Sequence, residues 1–118
     1  MTQTRVTGEI LLPSGAAVKA SAVARVQLLD TSLVDAPAST VASTIIYDVA
    51  SKLAKGEALT FELDCTINNP AVRYSVSVHV DQEGHGKVSL GDFVNGQSYP
   101  ALTYGYPNVL SVQTVKVV

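Results

Sequence analysis

The residues of this 118-residue chain whose types could do chemistry are His79, His85, the single cysteine Cys65, and the carboxylates Asp81, Glu83 and Asp92. A nucleophilic thiol needs a base beside it and an electropositive setting. Cys65 instead sits in Phe61-Glu62-Leu63-Asp64-Cys65-Thr66-Ile67, among acidic residues and in phase with apolar ones, which reads as a buried, inert thiol. His79 falls on the polar face of a strand and His85 in a glycine turn, and the pair lacks the partners of a zinc site. Asp81-Gln82-Glu83-Gly84-His85-Gly86 lacks the ligand order of a calcium loop, and its two glycines lack the helix that would make a phosphate cradle. These residues read as a solvated hairpin tip. The expectation is no catalytic residue, no metal and no cofactor; a small hydrolase or a metal-dependent enzyme is the competing class, and a purely structural sandwich a third.

Binding is the chemistry better served by the residue types. Phe93, Tyr99, Tyr104 and Tyr106 are four of the seven aromatics, and they fall in a stretch punctuated by Pro100, Gly105 and Pro107. Rings held on a turn-fixed backbone offer contact area at small entropic cost, so the four are candidate partner-binding residues. The same rings can instead close the end of a sandwich. A second informative stretch is Asp30-Thr31-Ser32-Leu33-Val34-Asp35-Ala36-Pro37. It reads as a strand end running into an ordered turn, with Asp30 and Asp35 accepting from backbone amides two residues on and Leu33 folded back as an apolar plug.

The elements that must position these residues are strands. Leu59, Phe61, Leu63, Cys65 and Ile67 alternate with Thr60, Glu62, Asp64 and Thr66; Val72, Tyr74, Val76, Val78 and Val80 alternate with Arg73, Ser75, Ser77, His79 and Asp81. These two strands are expected to pair as antiparallel neighbours across Asn68-Asn69-Pro70-Ala71. Further strands are placed at Arg5 to Leu12, Ala22 to Asp30, Val41 to Val49, Lys87 to Phe93, Tyr99 to Thr103 and Asn108 to Val118. A hairpin is expected across Gly84-His85-Gly86, and one helical turn at Ala50 to Gly56. The fold class is all-β, a two-sheet antiparallel β-sandwich of about seven or eight strands, with a partly closed β-barrel as second choice. One domain spans residues 1–118.

Composition bounds the partners. With 47% apolar and 15% charged residues the chain can fill one core. Its formal charge of -2 offers no basic field for nucleic acid. Mean hydropathy is +0.25, yet every apolar run is broken well before the roughly 18 residues a membrane-spanning helix needs, so no transmembrane segment is expected.

The chain also resembles a known family. Asp30-Thr31-Ser32-Leu33-Val34-Asp35-Ala36-Pro37 is similar to the D-x-S-L-x-D-A-P signature of the YbaY-like, YscW-type lipoproteins. Phe61-Glu62-Leu63, Arg73-Tyr74-Ser75-Val76-Ser77-Val78, Asp81 with its glycine turn, and Tyr99-Pro100-Ala101-Leu102-Thr103 follow in the order of that family's F-E-L, R-Y-x-V-S, D-x-x-G and Y-P-V-L-T stretches. The resemblance runs from about Gly8 to the C-terminus. It implies a small β-sandwich without catalytic activity, of a kind found in bacteria mostly as exported lipoproteins. The characterised branch comprises type III secretion pilotins, chaperones that escort a secretin subunit to the outer membrane, so the partner implied is a protein or peptide segment such as a secretin-like subunit. The N-terminus Met1-Thr2-Gln3-Thr4-Arg5 shows neither a signal peptide nor a lipid-acceptor cysteine. The localisation expected is cytoplasmic for the chain as written, and periplasmic or outer-membrane-attached for a trimmed lipoprotein domain.

Overall fold

The protein is described by a computed structural model, which covers residues 2–33 and 35–118. Among the described residues eight strands form in chain order: β1 (Thr2–Leu11), β2 (Val23–Asp30), β3 (Ser39–Ile46), β4 (Leu59–Ile67), β5 (Tyr74–Asp81), β6 (Phe93–Asn95), β7 (Pro100–Ala101) and β8 (Val109–Lys116). One short helix, α1 (Val49–Ala54), lies between β3 and β4 and ends before Gly56, where a single helical turn was expected.

The strands run β3-β2-β5-β6-β8-β1-β4 in one continuous path, with β7 paired to β5. Continuity depends on β8, which changes partner part-way along. Its first half, Val109 to Gln113, runs parallel to Thr7–Leu11 of β1. Its second half, Thr114 to Lys116, runs antiparallel to β6. At the change, the buried Thr114 hydroxyl donates to the Leu11 carbonyl at 2.8 Å, occupying an acceptor at the place where the β1 ladder ends. The outer strands β3 and β4 come close without ladder bonds, so the sheet curls into a barrel left open along one seam. The all-β architecture therefore joins the sandwich and the partly closed barrel expected from the strand spacing, two layers connected through β8.

Alternation produces the core. On β4 Leu59, Phe61, Leu63 and Cys65 are buried, and on β5 Tyr74, Val76, Val78 and Val80 face them with Ala24, Val26 and Leu28 of β2. Gly8 is required where β1 meets both neighbours. A Cβ there would lie 2.2 Å from the Leu110 carbonyl oxygen and 2.7 Å from the Phe61 ring.

Three expectations are corrected. β4 and β5 are not neighbours: β4 pairs antiparallel with β1, Arg5 opposite Asp64, and β5 lies between β2 and β6. Alternation fixes which face of a strand is buried but not which strand lies beside it, and both layers bury the same pattern. Lys87 to Ser89 form no strand; β6 starts only at Phe93, because the Gln82, Gly84, Gly86 and Ser89 amides are taken by the Asp81 and Asp92 carboxylates and the Lys87 amide by His85 Nδ1 instead of a ladder. Leu33 is 70% exposed and plugs nothing.

Candidate functional site

The two stretches singled out by residue type meet at one end of the sandwich. Beyond β2, Asp30 Oδ1 accepts the Ser32 amide at 2.9 Å, the turn expected there. Asp35 cannot act likewise, since the residue two on is Pro37, which has no N–H. The turn at Asp30 sets Thr31 and Ser32 against the residue before β5: the Thr31 amide donates to the Arg73 carbonyl at 2.9 Å, and Ser32 Oγ accepts the Arg73 amide at 2.9 Å. On the other side β7 places Pro100 opposite Ser75 and Ala101 opposite Tyr74.

After β7 the chain turns tightly through Leu102, Tyr104 and Gly105, with φ of 72°, 58° and 79°. Left-handed backbone is disfavoured by about 1–2 kcal/mol at each non-glycine residue, so Leu102 and Tyr104 need surroundings that hold them. Thr103 Oγ1 supplies one restraint by donating to the Val72 carbonyl at 2.6 Å, and Tyr104 Oη another by donating to the Ala71 carbonyl at 2.7 Å. The Leu102 amide reaches the Pro107 carbonyl at 3.1 Å and the Tyr106 amide the Thr103 carbonyl at 3.1 Å, closing the turn.

Between these walls lies a cavity of about 310 Å³, bordered by Thr31, Arg73, Ser75, Thr103, Tyr104 and Tyr106 among others. Tyr104 is 56% and Tyr106 50% exposed. The Arg73 guanidinium carbon stands 5.0 Å from the centre of the Tyr104 ring, a cation–π contact. Of the four aromatics expected to bind a partner, Tyr104 and Tyr106 thus border one cavity. Phe93 is in the core, and Tyr99 packs against that core while its Oη accepts the Gln113 amide of β8 at 2.8 Å. Arg73, Thr31, Ser75 and Thr103 were not picked out by residue type as site residues. The signal that could have found them is the position of three motif stretches, D-x-S, R-Y-x-V-S and Y-P-A-L-T, all of which contribute to this cavity.

Glu83, Gly84, His85 and Gly86 form the exposed tip that was expected, with Glu83 paired to Lys19, but Asp81 and Asp92 lie beneath it and build the loop. Asp81 and Asp92 are 0% and 1% exposed. Asp81 Oδ1 accepts the Gly84 amide at 3.0 Å, and its Oδ2 accepts the Gly86 amide at 2.7 Å and Arg25 Nε at 3.2 Å. Asp92 Oδ1 accepts the Gln82 amide at 3.0 Å; Oδ2 accepts the Ser89 amide at 3.0 Å and meets His79 Nε2 at 2.8 Å. Burial pushes both carboxyls up, but the donors outweigh it: those from Gly86, Arg25 and Gly84 hold Asp81, and those from His79, Gln82 and Ser89 hold Asp92, below the ordinary carboxylate value. His79, expected on a wet face, has a side chain only 13% exposed because it packs against Asp92. His79, Asp81 and Asp92 bring their ligand atoms within 4.8 Å of one another, and these oxygens are already engaged by the loop.

Cys65 is buried beside Tyr74, and burial pushes its thiol up, opposed by a hydrogen bond with Tyr74. Among the described residues, neither a histidine nor a cysteine borders the tyrosine cavity, and no helix is long and apolar enough to cross a membrane.

Comparison with known proteins places this architecture. No curated protein matches the sequence. The solved structure of an alternative pilotin from the type II secretion system of Vibrio cholerae superposes with a TM-score of 0.75, covering 99% of each chain at 24% identity, a likeness of fold. The family model for the type III secretion system lipoprotein chaperone, YscW, matches residues 1–113. The chain, as the motif stretches around Arg73 and Tyr99 foreshadowed, belongs to the YscW family of type III secretion system lipoprotein chaperones.

Proposed function

We propose that the protein is a non-enzymatic, secretion-associated chaperone that holds a segment of a protein partner, a secretin-like subunit, in the cavity bordered by Tyr104 and Tyr106. Membership of a lipoprotein chaperone family supports the class of function. The observation that carries the site is the convergence of three motif stretches on one cavity whose two tyrosines stay half exposed on a tightly restrained turn. Rings fixed in place before binding lose little entropy when a partner docks, and Tyr104 and Tyr106 together border one cavity, as a contiguous interaction surface requires. Work of this kind belongs on the periplasmic side of the outer membrane, where a secretin assembles, and calls for no cofactor or metal.

The test is direct binding. A panel of fluorescein-labelled segments that tile bacterial secretins is titrated with the purified chain and followed by fluorescence anisotropy. Saturable binding of at least one segment, competed by its unlabelled form, is expected. A panel in which no segment binds below millimolar concentration contradicts the secretin assignment.

A further inference from the structure

The partner-binding reading leaves open what the cavity recognises, and Arg73 narrows it. The chain has three arginines at positions 5, 25 and 73. Arg5 pairs with Asp64 and Glu62, and Arg25 with Asp81 and the Gly84 carbonyl. Arg73, among the described residues, forms neither an ion pair nor a side-chain hydrogen bond; Asp30, near it across the β2–β5 ladder, turns one oxygen to the Ser32 amide. Its guanidinium carbon lies over Tyr104 in the 5.0 Å cation–π contact, and the N–H donors along the guanidinium edge have no hydrogen-bond partner among the described residues, which suits them to a planar bidentate acceptor.

We infer, resting on the partner-binding reading, that the cavity anchors its partner through an aspartate or glutamate side chain that pairs with the free edge of Arg73, with an apolar neighbour of that residue against Tyr106. The remaining groups select this chemistry over other anions. A C-terminal carboxylate is commonly captured by a nest of backbone amides, but here the Thr31, Leu102, Thr103 and Tyr106 amides already donate to the Arg73, Pro107, Ala101 and Thr103 carbonyls. A doubly charged phosphate calls for more than one cation, and no lysine borders the cavity. The Thr31 and Thr103 hydroxyls already donate to the Arg73 and Val72 carbonyls, so what the walls add is the neutral hydroxyl of Ser75, suited to a second lone pair of a monoanion.

The test selects random twelve-residue peptides displayed on phage against the full chain, then measures synthetic versions of the enriched peptides with wild-type protein, Tyr106→Ala and Arg73→Leu. The 31–32 turn holds Arg73 by its backbone, so Arg73→Leu keeps those restraints, and an unchanged thermal midpoint verifies its fold. The expected result is enrichment of an internal Asp or Glu next to an aliphatic or aromatic residue. Changing that acid to its amide should weaken binding to wild type about tenfold or more and leave binding to Arg73→Leu unchanged, while Arg73→Lys recovers only part of the affinity. Peptides that depend on Tyr106 but carry no acid, or a free C-terminal carboxylate as the sole conserved acid, overturn the side-chain anchor and leave the binding site standing. Absence of any peptide sensitive to Tyr106→Ala overturns the site itself and the anchor with it.

Discussion

Ser32 Oγ accepts the backbone amide of Arg73 at 2.9 Å, across 41 positions of sequence. That bond joins the turn after β2 to the start of β5 and fixes the backbone from which the Arg73 side chain reaches over Tyr104. Ser32→Ala is expected to lower stability by about 0.5–1.5 kcal/mol, since one hydrogen bond near the surface is lost. The same change should weaken partner binding more than a comparable loss elsewhere on the surface. Urea denaturation and a binding titration on the same preparation separate the two effects.

Asp81 and Asp92 should govern the response to acid. Both are held below their ordinary value in the folded chain, so the folded state binds fewer protons than the unfolded one as pH falls. Their contribution is therefore complete above the unfolded carboxyl value, about 3.9, and is lost as pH drops through the lower folded values. Unfolding free energy measured against pH should fall below about pH 4 in wild type, and less steeply in Asp92→Asn. Asp81→Ala strands the Gly84 and Gly86 amides and Arg25, and should cost about 3 kcal/mol.

Gly8 tests the packing of β1 between β4 and β8. A methyl group there meets the Leu110 carbonyl oxygen, which belongs to backbone and cannot swing aside, as well as the Phe61 ring. Gly8→Ala should destabilise the fold by about 1–3 kcal/mol or more, read from the denaturation midpoint at constant m-value.

Cys65 should be inert while the chain is folded. Its thiol is buried and pushed up, so little thiolate exists at neutral pH. Labelling by a thiol reagent is expected to be slow without denaturant and fast in it. Cys65→Ser should cost about 1–3 kcal/mol wherever the new hydroxyl goes without a partner.

Much of the strand content is legible in the sequence because burial on one face writes a two-residue period, and β4 and β5 carry that period nearly unbroken. Strand adjacency is not legible. The residues between Ile67 and Tyr74 form turns whether the chain folds back on itself or crosses to the other layer, and the exchange of partners within β8 leaves no mark on its alternation. The 82–92 loop is hidden for another reason: Asp81 and Asp92 are acidic residues beside glycines, a composition that ordinarily signals solvent, and only the converging amides show why they are buried. At the candidate site the tyrosines stand out by type. Arg73 does not, because what singles it out is an exposed ring 31 positions away in the chain, brought over it by the turn at Leu102.

The central claim is that the cavity beside Tyr104 and Tyr106 is where a partner is held. Tyr106 is the sharper probe, since its ring is half exposed and, unlike Tyr104, its hydroxyl does not tie the turn to Ala71. The deciding measurement is the dissociation constant of a bound secretin segment for wild type and Tyr106→Ala, with the thermal midpoint of each taken alongside. The account predicts a loss of about 1–2 kcal/mol, roughly five- to thirtyfold, in affinity per folded molecule, with the midpoint shifted by no more than about 2 °C. An unchanged dissociation constant together with a clearly lower midpoint would make Tyr106 a packing residue and remove the cavity from the binding surface.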